Sequence, residues 1–566
     1  MIPKMKNTIL LIMILFVNVT YMCSQEITPT KPKLIVGIVV DQMRFDQLYK
    51  YEEKYSDNGF KRLMKEGYNY KNAHYNYIPT VTASGHASIY TGTTPSTHGI
   101  IGNNWYDRYN NIHIGNVTDT TEIIVGSEEV NKNGVSPRNL LSTTISDQLR
   151  LGTNFNSKVI SVSLKDRGAI LPGGHTANAS YWHDWQTSPG HFVSSSYYMD
   201  TLPKWVKDFN DLGKSSTYLD TVWNTLYPIE SYTESSSDDN SYERVLRGKD
   251  KPTFPYNFRQ LRETYRELNA EYQMIWVSPH GNSLLTEFAV SAIENEKLGE
   301  DEVTDLINIS YSVPDVIGHT FGLQSIELED IYLRLDKDIE KFINFLDSKV
   351  GRDQYVMFLT SDHGAIPVTS YLNERNLPSG IAKINDYKTS LKIYLDIKYG
   401  ENDWVQEFKS EMIYLNRPLI AQHDLLLSEV QQIVADFLLD QHGIANVLTA
   451  HQLKINDYSR GMKSLVQNGY HPKRSGDLIL TFDPGFIDSA TLNLRPSDVK
   501  GTTHGSGYAY DTHVPVLWFG CGIPSGESTR KIAITDIAPS LAMLLNLQLP
   551  SGSTGEPLFE ILEREK

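Results

Sequence analysis

Three aspartates and three histidines stand where chains often carry functional side chains, directly after predicted strands or inside glycine-rich turns. They are Asp41, Asp315, His319, Asp362, His363 and His504. The i, i+4 spacing of Asp315 and His319 puts both side chains on one face if that turn is helical. Glycines beside His363 and His504 permit tight turns that expose these imidazoles. Mixed carboxylate and imidazole ligands favour zinc, and six of them are enough for two divalent ions.

A second stretch, YIPTVTASGH at residues 77–86, contains three hydroxyls and a histidine. The hydroxyls belong to Thr80, Thr82 and Ser84. The stretch is either a nucleophile presented by a turn or an ordinary strand-to-helix connection rich in small polar residues. The stretch alone leaves both interpretations open. His86 is expected on the following helix, packed beneath the loop.

These residues follow apolar, β-branched segments that read as strands buried on both faces. The segments are residues 33–40, 157–164, 306–313 and 354–360. A helix is predicted over 326–346, where apolar residues recur at helical spacing. The alternation predicts an α/β fold with a doubly wound, mainly parallel sheet flanked by helices. Such folds bind ligands at the carboxyl ends of their strands, where the acids and histidines lie.

Two regions interrupt the strand and helix pattern, and both are expected to cap the main sheet. One is rich in Tyr, Trp, Ser and Asp, and the other is a mixed stretch. The predicted organisation is a catalytic core at 30–170, 301–375 and 486–566, a cap at 171–300 and a second insertion at 376–485.

The N-terminus reads as an export signal, predicted over residues 1–24. Lys4 and Lys6 precede an apolar run at residues 9–17, which is too short to span a bilayer comfortably. A lipid anchor at Cys23 is not favoured, because Met22 precedes it. No later segment is long and apolar enough to span a membrane, so the mature chain is expected to be periplasmic or secreted, and monomeric.

The charge of the 566-residue chain argues against nucleic acid as a partner. Sixty-eight acidic residues outnumber 52 lysines and arginines, for a formal net charge of −16. Nucleic-acid binding usually needs a basic surface. An anionic ligand would therefore depend on local attraction, from metal ions or a few cationic side chains.

The order of these residues resembles the alkaline phosphatase superfamily. Within it, the chain is similar to the exported bacterial phosphate-irrepressible (PafA-type) alkaline phosphatases. The resemblance runs from residue 33 to about residue 545 and includes the phrases VDQMR at 40–44, GNNWYD at 102–107 and THVPVLW at 512–518. It implies an exported phosphomonoesterase that acts on a broad range of small phosphate monoesters through a phosphothreonine intermediate.

The resemblance also implies two zinc ions and selects one hydroxyl. Asp315, His319 and His504 would hold one ion. Asp41, Asp362 and His363 would hold the other, together with the nucleophile Thr82, and Thr80 is rejected. Zinc coordination would lower the pKa of a threonine hydroxyl, which is otherwise a weak nucleophile. Ser84 is a departure, because many relatives carry proline or a bulkier residue there.

Three further residues are implied as phosphate contacts: Asn103, Lys165 and Arg167. Lys165 and Arg167 are two positions apart directly after a predicted strand, so in an extended conformation they would project to the same side. Arginine offers a planar fork and lysine a compact charge, which suits a monoester dianion. Without the other residues, Lys165 and Arg167 would be interpreted as solvated side chains at a surface turn. Asn103 would be interpreted as a turn residue.

Other functions share parts of the pattern. A nucleotide pyrophosphatase/phosphodiesterase has the same six ligands and a threonine, but is expected to use an apolar pocket instead of the Lys165–Arg167 pair. A sulfatase is disfavoured, because no C/S-x-P-x-R motif lies near residue 82. A non-catalytic exported binding protein is disfavoured by the complete ligand set, and metal content would distinguish it.

Overall fold

The computed structural model describes residues 31–128, 133–186, 189–409, 411–489 and 494–562. The predicted signal peptide and Cys23 lie outside these ranges. Across the part of the chain that is described, no helix is both long and apolar enough to cross a bilayer.

The strands are numbered in chain order. The first eleven are β1 (Leu34–Val40), β2 (Tyr68–His74), β3 (Asn104–Asp107), β4 (Ile112–Gly115), β5 (Thr118–Val125), β6 (Asn133–Val135), β7 (Val159–Ser163), β8 (Ala179–Asp184), β9 (His191–Ser195), β10 (Val222–Trp223) and β11 (Tyr256–Asn257). The others are β12 (Asp305–Tyr311), β13 (Tyr355–Thr360), β14 (Gly380–Lys383), β15 (Val405–Lys409), β16 (Met412–Leu415), β17 (Ile444–Thr449), β18 (Leu478–Phe482), β19 (Phe486–Ser489), β20 (His513–Gly520), β21 (Gly526–Ser528) and β22 (Ile532–Ala533).

The helices are numbered in the same way. The first ten are α1 (Gln47–Lys50), α2 (Phe60–Glu66), α3 (Thr82–Thr91), α4 (Pro95–His98), α5 (Ile145–Gly152), α6 (Asp166–Gly173), α7 (Lys204–Asp211), α8 (Lys214–Leu219), α9 (Phe258–Arg266) and α10 (His280–Glu296). The others are α11 (Val313–Phe321), α12 (Ile326–Leu346), α13 (Thr369–Glu374), α14 (Ile384–Tyr399), α15 (Arg417–Gln422), α16 (Leu427–Leu439), α17 (Ala450–Ile455), α18 (Gly461–Gly469), α19 (Ala509–Thr512) and α20 (Ile537–Leu545).

The main sheet has the order β21-β2-β20-β13-β1-β12-β7-β8-β9-β5-β6, with β22 beside β2. Its centre is parallel: β1 pairs with β12 and β13, and β7 pairs with β12 and β8. On the two sides, β20 and β9 run antiparallel to their neighbours β13 and β8. The predicted doubly wound α/β class is confirmed, with a mixed sheet that is parallel where the predicted strands lie.

Both faces of the sheet are covered by helices, as the continuous apolar strands predict. Along β1, Leu34, Val36, Ile38 and Val40 belong to a core cluster that includes residues of α10 and α12. The alternate side chains of Ile35 and Val39 join another cluster with residues of α3, α5 and α20. Successive side chains of a strand point to opposite faces, so an unbroken apolar strand requires two covering layers.

The two predicted insertions differ in their relation to this sheet. Residues 171–300 contribute β8 and β9 to it, so part of the predicted cap is continuous with the core. The sequence of β8, ASYWHD, gives little indication of a buried strand, because most of its residues are polar or small. All six residues are nevertheless buried. Residues 376–485 contain the separate sheet β15-β16-β18-β17 and a separate hydrophobic cluster.

Helix α3 approaches the loop after β13 very closely. A Cβ atom added at Gly85 would lie 2.2 Å from the backbone oxygen of Asp362 and 2.7 Å from its Cβ. Neither atom can move without shifting the loop that carries Asp362 and His363. The absence of a side chain at Gly85 therefore fixes the distance between α3 and this loop.

We expect Gly85→Ala to lower the free energy of unfolding by ~1–3 kcal/mol, because the added methyl overpacks a buried contact. The measurement is the urea midpoint. Gly102→Ala is the matched control, since its added Cβ would come no closer than 3.5 Å, to the Asn104 oxygen. Equal midpoints for the two variants would contradict this account of the packing.

Candidate active site

Three carboxylates meet at the carboxyl edge of the parallel strands. Asp41 follows β1, Asp315 lies in the first turn of α11 after β12, and Asp362 follows β13. Since β1 pairs with both β12 and β13, the three chain segments end side by side. The carboxylates are buried, with 0, 5 and 0% of their residue surfaces exposed. This is the edge at which open α/β sheets bind ligands.

The three predicted histidines surround the same point. His319 lies one turn after Asp315 on α11, and its Nε2 is 3.1 Å from Asp315 Oδ1. The rings of His363 and His504 stack with centroids 3.6 Å apart, and His504 Nε2 is 3.6 Å from Asp315 Oδ1. The structure thus brings together all six predicted ligands, and the Asp315–His319 turn is helical.

Backbone carbonyls orient all three imidazoles. Each ring places Nδ1 at 2.8 or 2.9 Å from a carbonyl oxygen: His319 to Thr502, His363 to Gly364 and His504 to Thr80. A carbonyl oxygen can only accept, so Nδ1 carries the proton and the Nε2 lone pair is available as a ligand. Metal-binding histidines are commonly held in this way.

The unsatisfied buried atoms fit a metal centre. Asp41 Oδ1, Asp362 Oδ2 and His363 Nε2 have no hydrogen-bond partner among the described residues. His363 Nε2 lies 3.5 Å from this Asp41 oxygen and 3.7 Å from this Asp362 oxygen. Buried polar atoms are rarely left unpaired, so three neighbouring examples point to a bound cation.

Among the described residues, two groups of three side chains could each hold a metal ion, because the ligand atoms within each group lie within 4.8 Å of one another. One group is Asp315, His319 and His504, and the other is Asp41, Asp315 and His363. The first is the predicted set for one ion. The second contains Asp315 in the place where the prediction has Asp362. Carboxylate oxygens and imidazole nitrogens suit a divalent transition metal.

The charges show that the carboxylates need further cations. Burial, together with the charge of Asp41, raises the pKa of Asp362 well above its ordinary value. Burial also opposes ionisation of Asp315, but the Lys165 ammonium holds the pKa of that carboxyl well below its usual range. One lysine therefore does not stabilise all three carboxylates in the ionised form.

Lys165 lies between two of the carboxylates. Its residue surface is 4% exposed, and Nζ lies 2.6 Å from both Asp41 Oδ2 and Asp315 Oδ2. Although burial alone would lower the lysine pKa, Asp315 and Asp41 raise it, so the amine stays charged. Lys165 thus lies among the predicted metal ligands.

The expected extended conformation of Lys165 to Arg167 is wrong, because Arg167 is helical. The strand β7 ends at Ser163, and Arg167 lies in the first turn of α6. The Asp166 carboxylate, at the first helical position, accepts the Arg167 N–H at 2.6 Å. Acidic residues are favoured in a first helical turn, and this was the signal for a helix start that the prediction missed. Arg167 Nε is buried without a partner among the described residues.

Hydrogen bonds distinguish the three hydroxyls of residues 77–86. Thr80 Oγ1 donates to the Ser506 carbonyl at 2.8 Å, and Ser84 Oγ donates to the Ile100 carbonyl at 2.9 Å. Thr82 is the first residue of α3 and is 2% exposed. Thr80 and Ser84 thus have structural hydrogen bonds, whereas Thr82 stands at the positive end of a ten-residue helix.

Asn103 lies beside the same helix end. Its Oδ1 accepts the Ala83 N–H at 3.0 Å, which leaves the amide NH₂ as a donor next to Thr82. The Asn116 side chain donates to the Asn103 carbonyl at 2.7 Å and fixes this turn. These bonds place a neutral donor beside the predicted nucleophile.

His86 is fully buried, with both ring nitrogens paired. Nδ1 lies 2.8 Å from the Thr82 carbonyl and Nε2 lies 2.8 Å from Ser310 Oγ. Burial lowers the pKa of His86 to about 4, so the ring is neutral at pH 7. The arrangement agrees with the predicted packing role and leaves no free nitrogen to serve as a base.

Two residues near the ligands were not among the predicted site residues. Gln42 contacts both Asp315 and Asp362 through hydrogen bonds. Asp511 accepts the Ser506 N–H at 2.7 Å and so braces the loop of His504, and burial raises the pKa of Asp511 to about 7. Gln42 follows Asp41 directly and lies in the segment VDQMR at 40–44, and these two features could have singled it out.

Comparison with known proteins identifies the family. Residues 35–506 match the family described as type I phosphodiesterase/nucleotide pyrophosphatase. The chain therefore belongs to this family, within the alkaline phosphatase superfamily, and the predicted superfamily membership is confirmed.

Named relatives cover nearly the whole chain. Alkaline phosphatase PafA of Elizabethkingia meningoseptica is 41% identical over 94% of this chain and 95% of its own. Alkaline phosphatase PhoV of Synechococcus elongatus is 42% identical over 95% of this chain and 94% of its own. A crystal structure of wild-type PafA superimposes with a TM-score of 0.88, at 41% identity, and covers 94% of this chain and 99% of that one.

We expect Zn²⁺ binding to the chelator-treated chain to be accompanied by proton release. The Asp362 carboxyl, whose pKa is raised, must lose its proton to coordinate an ion, so zinc affinity should increase with pH. Calorimetric titrations in two buffers with different ionisation enthalpies measure the number of protons released. Asp362→Asn should release fewer. Binding heats that do not depend on the buffer would contradict this electrostatic account.

Proposed function

We propose that this chain is an exported alkaline phosphatase that hydrolyses a broad range of small phosphate monoesters through a covalent phosphothreonine. The observation that carries the proposal is the placement of the Thr82 helix end, three buried carboxylates and three oriented imidazoles around one point. The named alkaline phosphatases that match over more than nine-tenths of this chain support the same activity.

Two zinc ions are proposed as the cofactors. Asp315, His319 and His504 would hold one ion. The other would be held by Asp41, Asp362 and His363, with Thr82 as a further ligand. When bound, two such ions lower the pKa of a coordinated hydroxyl and stabilise the negative charge on the attacking and leaving oxygens of an in-line displacement.

Thr82 is proposed as the nucleophile. In the first step its deprotonated Oγ1 forms a bond to phosphorus while the bond from phosphorus to the alcohol oxygen breaks. In the second step a water oxygen attacks phosphorus, the bond to Thr82 breaks, and inorganic phosphate leaves. The N–H groups at the start of α3 favour the negative charge that approaches Thr82 in both steps. Splitting the reaction in this way replaces one difficult displacement with two easier ones.

Asn103, Lys165 and Arg167 are proposed to bind the non-bridging phosphate oxygens. The Asn103 NH₂ would supply a donor beside the start of α3, and Arg167 Nε, buried without a partner among the described residues, would supply another. Lys165 and the divalent ions would compete for the negative charge of the same two carboxylates, Asp41 and Asp315, so the ammonium would become available to phosphate when the ions are bound. Two cations match the two charges of a monoester and are less useful for a diester, whose third oxygen is alkylated.

This cationic pair separates the proposal from the phosphodiesterase alternative. A diesterase is expected to use apolar contacts for its second substituent, whereas Lys165 and Arg167 are proposed to match the second negative charge of a monoester. The similarity to two proteins named as alkaline phosphatases supports the monoesterase. We also propose that residues 1–24 direct export, so that the mature chain is periplasmic or secreted, and that the mature chain is monomeric and binds no nucleic acid.

We expect Thr82→Ala to lower kcat for an aryl phosphate monoester by ~10³-fold or more, as loss of a nucleophile does in other covalent enzymes. Zinc content should be retained, because carboxylates and imidazoles supply the other ligands. Thr82→Ser is the matched control and should keep the covalent route. Near wild-type turnover by Thr82→Ala would refute the assignment.

A further inference from the structure

Gln42 has an unusual backbone conformation at the centre of the site. It follows Asp41, is 2% exposed, and has φ of +66°. A residue with a Cβ atom adopts this left-handed region at a cost in free energy, which persists only where the surroundings require it. Strained residues of this kind cluster at functional sites.

Two hydrogen bonds connect Gln42 to ligands from different strands. Its backbone N–H donates to Asp362 Oδ1 at 3.1 Å, and its side-chain Nε2 donates to Asp315 Oδ1 at 2.7 Å. Its peptide bond also joins it to Asp41. One residue thus hydrogen-bonds to two of the three carboxylates and is joined through the backbone to the residue that carries the third.

The hydrogen bonds leave specific oxygens free. With Oδ1 of Asp362 bonded to Gln42, the unpaired Oδ2 lies 3.7 Å from His363 Nε2. Asp315 Oδ1 has a second lone pair besides the one used by Gln42, and this oxygen is 3.1 Å from His319 Nε2. The Gln42 donors therefore orient both carboxylates with donor oxygens next to the imidazoles.

The side-chain oxygen of Gln42 packs against a glycine of α11. A Cβ atom added at Gly318 would lie 2.0 Å from Gln42 Oε1. Gly318 lies on α11, between Asp315 and His319 in sequence. Any side chain there would displace the amide that bonds to Asp315, so Gly318 and Gln42 form one packing unit.

We propose that Gln42 is a positioning residue that fixes the two proposed metal sites relative to each other. It acts on the site of Asp315, His319 and His504 through Asp315, and on the site of Asp41, Asp362 and His363 through Asp362 and Asp41. This inference rests on the proposed two-zinc function. Partners that orient metal ligands typically contribute about 10–100-fold to metal affinity or activity.

Gln42→Gly tests the side chain alone. Glycine adopts positive φ readily and retains the N–H that bonds to Asp362, so only the amide donated to Asp315 is lost. We expect zinc affinity to fall by ~10–100-fold for the weaker-binding ion, measured by competition with a chromophoric chelator. The thermal midpoint of the zinc-saturated chain should not fall, and activity should recover at saturating zinc.

Gln47→Ala is the matched control. Gln47 is a second buried glutamine, 3% exposed, whose Oε1 accepts the Arg44 N–H at 3.0 Å without contacting the ligand carboxylates. Its loss should leave zinc affinity unchanged. Gly318→Ala should weaken zinc binding like Gln42→Gly, and the double variant should be no weaker than the worse single variant, since both changes remove the same contact.

Wild-type zinc affinity in Gln42→Gly would overturn the inference. So would a loss of activity at full zinc occupancy that added zinc does not restore. These results differ from a failure of the proposed function itself, in which the unmodified chain would bind no zinc or would not hydrolyse a phosphate monoester.

Discussion

The burial of three carboxylates at the ends of neighbouring parallel strands is the constraint on which this structure depends. Asp41, Asp315 and Asp362 are too close and too deeply buried to be ionised together without added positive charge. The Lys165 ammonium supplies one charge, and the unpaired Nε2 of His363 marks where further positive charge is needed. Burying uncompensated charge is costly, so the fold and the cations it binds are coupled.

The scaffold meets this constraint with rigid elements and backbone contacts. The pairing of β1 with β12 and β13 brings the carboxylates together, and the carbonyls of Thr80, Gly364 and Thr502 orient the imidazoles. The close approach at Gly85 places α3 against the Asp362 loop. The Thr80 carbonyl and hydroxyl both contact residues 504–506, so the hydroxyl-bearing loop and the His504 loop are held as one unit.

Much of this arrangement could be predicted from the sequence, because the relevant signals are local. The apolar runs marked β1, β7, β12 and β13 to within about two residues, and helical spacing gave α12 its observed bounds. Both signals come from elements that are buried along their full length. The Asp315–His319 spacing likewise implied a shared helix face, since i and i+4 are neighbours on a helix.

Features that depend on tertiary contact were not predictable in this way. The polar strand β8 is buried only because the sheet continues beyond it, and Arg167 turns into α6 instead of remaining extended. The two bonds of Gln42 join positions about 270 and 320 residues apart in the chain, and no local pattern specifies them. Resemblance to a family supplied the choice of Thr82, because nothing in the local sequence shows that the hydroxyls of Thr80 and Ser84 donate to backbone carbonyls.

The most direct test of the central claim is kcat/KM for a matched aryl phosphate monoester, aryl phosphate diester and aryl sulfate on one preparation of known metal content. A site with two metal ions and a cationic pair for a dianion predicts that the monoester is preferred by orders of magnitude, with about two zinc ions per chain. A diester hydrolysed as well as the monoester by the zinc-loaded chain would contradict it.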